Sequence, residues 1–129
     1  MEVKYSTEKP PNNIYEKCRE RFGVDWDKGI IFTYGDTIYC KSPISDDLKV
    51  HEATHIRQQR EIGEDIWWER YLKDKDFRLS QEVEAYKNQM EYINKNYNRN
   101  ARRYLYKHII RSMVELYDMC TEEEAKKLL

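Results

Sequence analysis

Two of the chain's three histidines stand four residues apart, in His51-Glu52-Ala53-Thr54-His55. On an α-helix, positions i and i+4 lie on one face about one turn apart. The surrounding sequence supplies that helix. Ser45 is a capping residue, and Asp46 and Asp47 place acids at the positive end of the helix dipole. Gly63 ends the run after Ile62. Between these limits Leu48, His51, Glu52, His55, Ile56, Gln59 and Ile62 form one continuous stripe. The histidines therefore face the interior, and the rest of the chain must pack around an ionisable helix face.

That face has a chemistry. Two imidazoles one turn apart can converge on one ion at roughly 2.0–2.1 Å. Glu52 follows the first of them and is displaced from the ion, within reach of a water on it, where it can act as general base. A catalytic zinc needs a third protein ligand. The bent-helix arrangement HExxHxxGxxH would place it six residues past the second His. Here the Gly position holds Gln58 and the ligand position holds Glu61. An unbroken helix carries Glu61 too far along its axis, so the ligand must come from a later segment. Ser80-Gln81-Glu82-Val83-Glu84-Ala85-Tyr86 offers two carboxylates. Glu82 and Glu84 point to nearly opposite sides of a helix, so one alone can serve. Glu82, Tyr86 and Gln89 share one face, while Val83, Met90 and Ile93 pack an adjacent one.

Composition bounds the class. A chain of 129 residues and 15.8 kDa is one domain. Charged residues make up 36% and mean hydropathy is −1.01, values close to those of disordered chains. Eleven Tyr, three Trp and three Phe argue for a folded core instead. No apolar run approaches the roughly 18 residues of a membrane span, and MEVKYSTEKPPNN lacks the apolar stretch of a signal peptide. Three cysteines (Cys18, Cys40, Cys120) with no CxxC pair read as small core residues in a reducing compartment, so a cytoplasmic location is expected. A net charge of −1 points to neither a nucleic acid nor a membrane partner.

Residues 1–12 read as an extended polar arm, and 13–129 as a single domain. Asn13 caps a helix from Ile14 to Phe22, stopped by Gly23. Two β-prone runs, 30–34 and 37–41, flank a Gly35-Asp36 hairpin turn. After the histidine helix comes a second one, Glu64 to Lys73, with Trp67, Trp68, Tyr71 and Leu72 as core or lid residues. Asp74-Lys75-Asp76 breaks it, and a third helix is expected from Ser80 to about Lys95. A turn over 94–100 precedes a long helix from Ala101 to Met119, with an apolar stripe at Ala101, Leu105, Ile109, Met113, Leu116 and Cys120. Thr121 with Glu124 is a capping box for a short last helix. The fold class is α+β: a short antiparallel sheet of two or three strands, then a mainly helical body.

The segment His51-Glu52-Ala53-Thr54-His55-Ile56-Arg57-Gln58-Gln59, with Glu82-Val83-Glu84-Ala85-Tyr86 downstream, resembles the HExxHxxQQ…ExEA pattern of small gluzincin-like zinc metallopeptidases. The resemblance covers residues 45–90 and the flanks in outline. It implies a zincin-like body, a Zn²⁺ cofactor held by His51, His55 and Glu82, and a peptide or protein substrate. It further implies Glu52 as general base, Ala85 as a small packing residue, and a sheet edge that holds extended substrate. Many relatives have Asp or Asn where this chain has Tyr86. No motif fixes the oxyanion stabiliser; Tyr71, Tyr86 and His108 are candidates, and Glu84 is a candidate neighbour of the ligands. Peptide deformylases pair HExxH with a Cys, which makes Cys40 an alternative ligand, but their glycine-rich and Gly-Cys motifs are absent.

Two other readings compete. From Lys95 to Arg111 there are six basic residues and no acidic ones, with Tyr97, Tyr104 and Tyr106 interleaved. Such a stripe can bind phosphates and stack bases. The favoured reading is a solvated face whose arginines pair with acids between Glu115 and Glu124. His108, beside Leu105 and Ile109, is read as a buried structural histidine. The remaining possibility is a structural or virion-associated zinc domain, with the same ligands and no turnover.

Overall fold

The computed structural model describes residues 3–116 and 119–129. Its element order is β1 (Lys4–Ser6), α1 (Ile14–Phe22), a 3-10 turn (Trp26–Lys28), β2 (Phe32–Tyr34), β3 (Thr37–Tyr39), α2 (Asp46–Ile62), α3 (Glu64–Lys73), α4 (Lys75–Asn96), α5 (Arg99–Glu115) and α6 (Glu122–Leu128). The class is α+β, as expected. The sheet is mixed rather than antiparallel. β2 and β3 form the Gly35-Asp36 hairpin, with Thr33 opposite Ile38. The supposed arm supplies β1, which pairs parallel to β3 with Tyr5 opposite Ile38, giving the order β1-β3-β2. A three-residue strand, largely exposed, carries no alternation by which a sequence could announce it.

The hairpin and the α1, α2, α3 and α6 boundaries follow the sequence signals. Gly23 takes a left-handed conformation and its N–H closes on the Arg19 carbonyl, which ends α1. The Thr121–Glu124 capping box is formed in both directions. Three expectations need correction. Asn13 and Ser45 precede helices without making a side-chain cap bond, and Asn13 is itself left-handed. α4 starts at Lys75, five residues before the expected Ser80, because Asp74 caps it through the Phe77 N–H. The acids that looked like a break are thus the start of the next helix. α5 starts at Arg99, capped by Asn98 through the Ala101 N–H. Its expected extension to Met119 crosses 117–118, which lie outside the described residues.

Two apolar clusters flank a polar seam. One joins α1, β2 and α3 through Ile14, Tyr15, Trp26, Phe32, Trp67, Trp68 and Tyr71. The other joins α4, α5 and α6 through Tyr86, Ile93, Ile109, Ile110, Met113 and Ala125. Between them α2 packs along α4, and its buried residues are mostly polar: Asp47, His51, Glu52, Thr54, His55, Gln58 and Gln59, with Ile56 the apolar exception. A buried polar group left unpaired costs about 1–3 kcal/mol. Among the described residues Arg78 Nε is the one buried side-chain polar atom without a hydrogen bond. The seam is therefore a closed network. No helix among the described residues is long and apolar enough to cross a membrane.

Candidate metal centre

α2 presents His51 and His55 on its inner face, and α4 crosses them with Glu82. The His51 and His55 Nε2 atoms are 3.1 Å apart, and Glu82 Oε1 lies 3.0 and 2.9 Å from them. All three residues are about 5% exposed. Donors at roughly 2.0–2.1 Å from a tetrahedral ion stand roughly 3.3 Å from one another. The triangle seen here is a few tenths of an ångström smaller, which a small outward shift of each side chain corrects. His51, Glu52 and His55 form a buried group that could hold a metal ion. Glu52 is the more remote carboxylate: its Oε2 lies 3.8 Å from His51 Nε2, and its Oε1 accepts a hydrogen bond from Thr33 Oγ1 at 2.9 Å. The direct distances make Glu82, rather than Glu52, the nearer partner of both imidazoles.

The outer hydrogen bonds decide which nitrogens face the centre. Gln58 Nε2 donates to the Gln81 carbonyl and to Glu84 Oε1, so its own Oε1 is turned to His55 Nδ1 at 2.8 Å. Gln89 Nε2 donates to Asp47 Oδ2, so its Oε1 is turned to His51 Nδ1 at 3.0 Å. An amide oxygen can only accept, so each Nδ1 carries a hydrogen and each Nε2 is left facing Glu82, where it donates to the carboxylate when protonated and offers a lone pair to an ion when it is not. Tyr71 Oη donates to Glu82 Oε2 at 2.5 Å, which leaves Oε1 for the centre. Arg78 in turn donates to the Tyr71 carbonyl at 2.6 Å.

The second glutamine of the pair ties α2 to the hairpin. Gln59 Nε2 donates to the Thr33 carbonyl at 2.7 Å, and Gln59 Oε1 accepts from Gly35 N at 2.8 Å. Trp68 Nε1 also donates to the Thr33 carbonyl. This part of the β2 outer edge is thereby occupied by side chains, and Thr33 is held where it reaches Glu52. Thr33, Gln58 and Gln89 received no role from sequence. The HExxHxxQQ pattern contained Gln58 and Gln59 but gives no hint of what their amides bond.

Charge in the centre is strongly coupled. Burial pulls the His55 imidazolium down, but the Glu82 carboxylate and its hydrogen bond outweigh it, and the pKa rises to about 9. Burial alone would raise Glu82, but the His55 charge and hydrogen bonds from both imidazoles hold it well below the usual carboxylate range. Tyr86 packs its ring on His51, centroids 4.4 Å apart, and burial with the Glu82 and Glu52 charges pushes its phenol well above its ordinary value.

The other sequence candidates fall elsewhere. Glu84 faces outward, bonded to Gln58 and paired with Arg57. Tyr71 is committed to Glu82 rather than free to meet a carbonyl. Cys40 packs with Ile38 and Ile56 and is not part of the His51-Glu52-His55 group. His108 is exposed on α5 rather than buried, because the core face of that helix is carried by Ile109, Ile110 and Met113. A cavity of about 180 Å³ opens beside the donors, walled by Ile30, Thr33, Leu48, Trp67, Tyr86 and Leu116 among others.

Comparison with protein-family models, curated proteins and solved structures finds no match to this chain.

Proposed function

We propose that this chain is a zinc-dependent metallopeptidase. The observation that carries the reading is the convergence of His51 Nε2, His55 Nε2 and Glu82 Oε1, with Glu52 held to one side by Thr33. Two neutral imidazoles and one carboxylate are the donor set of open catalytic zinc sites. Zinc in this position would supply a Lewis acid that polarises a carbonyl and makes a water more acidic. The protein's own contributions are positional. Gln58 and Gln89 fix the imidazoles, and Tyr71 fixes Glu82. Thr33 takes one Glu52 oxygen, which leaves Oε2 facing the centre as the proton acceptor. Glu52 would accept a proton from the attacking water and return it to the leaving amine. Tyr86 stays a neutral phenol beside His51, able to donate towards a developing oxyanion. The cavity is smaller than the about 300–1,000 Å³ of pockets that enclose whole ligands. It suits the segment of an extended chain around one scissile bond.

A non-catalytic zinc domain is the second reading, favoured by the deep burial of the donors and the small cavity. A closed structural site needs four protein ligands, and Glu52 would have to be the fourth. Two variants separate the readings. Glu52→Gln should keep the metal and lose about 10²–10⁴-fold in rate if Glu52 is the base. His51→Ala should lose the metal itself. The assay is bound zinc together with casein cleavage for each variant. Equal zinc loss in the two variants makes Glu52 a ligand and favours the structural site. Unchanged cleavage by Glu52→Gln rules out the base.

A further inference from the structure

We infer that the exposed face of α5 is a docking surface for single-stranded nucleic acid, a reading independent of the metal centre. The charges on this helix run against its own stability. Arg99, Arg103, Lys107 and Arg111 follow one another at i, i+4 spacing, and like charges at that spacing weaken a helix. Helices α1, α2, α3, α4 and α6 each have an acid in the first turn and a base in the last. That arrangement complements the helix dipole. α5 has neither: arginines crowd its positive end and Glu115 closes its negative end.

Elsewhere five helical bases are neutralised locally, while others, Lys17, Arg60 and Lys87 among them, form no ion pair among the described residues. Lys49, Arg57, Lys73, Lys95 and Lys126 pair with acids three or four residues away. Among the described residues, Arg99, Arg103, Lys107 and Arg111 form no ion pair, and the expected pairing with the acidic C-terminal residues is not seen. Residues 99–111 hold five bases and no acid, while the other residues hold 18 bases against 24 acids. A nearly neutral molecule thus concentrates positive potential on one helix. An external polyanion accounts for a pattern that the isolated fold disfavours.

The aromatic residues favour nucleic acid over an acidic protein. Tyr104 is 64% exposed, and its ring stands edge-on against His108 at 5.4 Å. It sits between Arg103 and Lys107 in sequence and offers a flat face beside the stripe. Base stacking on exposed aromatics within a basic track is the usual mode of sequence-independent single-strand binding. The stripe spans about 18 Å, twelve residues at the helical rise. A groove of about 550 Å³ runs beside it, lined by Arg103, Tyr106, Lys107 and Arg111. Glu115 and Glu122 border the same groove, so the strand would lie toward Arg99–Lys107.

The test is fluorescence anisotropy of a labelled oligothymidylate across a salt series. Four phosphate contacts predict a log–log salt slope of about −3. Arg103→Glu with Lys107→Glu should abolish binding while circular dichroism stays native. Tyr104→Ala, at an exposed position, should weaken binding at least about fivefold, the effect of one lost stack. Absence of binding at low salt by natively folded protein would overturn the proposal. So would tight binding that is unchanged by the charge reversal. Equal binding of polyglutamate, with Tyr104→Ala indistinguishable from the parent, would make this an acidic-protein surface instead.

Discussion

Gln58 and Gln89 hold the two imidazoles as carboxylates often do in metal sites, but without adding charge. The centre then keeps a single carboxylate aimed at both imidazoles, Glu82, with Glu52 as its neighbour. Tyr71 is what makes Glu82 present one oxygen rather than two. Tyr71→Phe should therefore weaken zinc binding by about 10–100-fold while the fold stays intact. Competition with a chelating dye would measure this, and unchanged affinity would reduce Tyr71 to a packing residue. In protein stripped of any metal by a chelator, the buried His55–Glu82 pair makes stability pH-dependent. The raised His55 value contributes stability fully present below its ordinary value of 6.5 and lost as pH rises through about 9. The depressed Glu82 value contributes stability present above its ordinary 4.5 and lost as pH falls below that. The stripped protein should be most stable between these two ordinary values, with Tm falling toward pH 9. A Tm that does not change over that upper range would contradict the buried pair.

At the scale of elements, α2 is central to the fold and polar inside it, so its packing depends on hydrogen bonds to α4 and β2. This is why the site was partly legible. The four-residue spacing of His51 and His55, and the two-residue spacing of Glu82 and Glu84, are helix periodicities that a sequence displays. What bonds Gln58, Gln59, Gln89 and Thr33 depends on how α2 meets α4 and the hairpin, and no local pattern encodes that. β1 is hidden from local sequence for the same reason: its partner is thirty-three residues away and its own side chains are mostly exposed. α4 starts ahead of the expected Ser80 because Asp74 serves both as the end of α3 and as the cap of α4. Asp74→Ala should lower stability by about 0.5–2 kcal/mol. Urea unfolding would measure it, and no change in midpoint would mean that α4 needs no cap. The same element brings Glu82 to the histidines.

Across the whole molecule, two apolar clusters clamp a seam whose buried polar atoms are almost all paired. Cys18 and Cys120 sit in those two clusters, and Cys40 in a third, smaller one with Ile38 and Ile56. Burial raises all three thiols, Cys18 to about 12. Native protein should therefore resist iodoacetamide at neutral pH, while denatured protein takes three equivalents by mass; rapid native labelling would mean a looser core. The seam makes sense as a scaffold for an ion, because three donors are held from behind by Gln58, Gln89 and Tyr71. Elemental analysis of zinc bound to purified wild-type, Glu82→Ala and Glu84→Ala proteins tests that claim most directly. The account predicts one zinc per chain in the wild type and in Glu84→Ala, and a large loss in Glu82→Ala with native circular dichroism. No zinc in the folded wild type after reconstitution, or full zinc in folded Glu82→Ala, would contradict it.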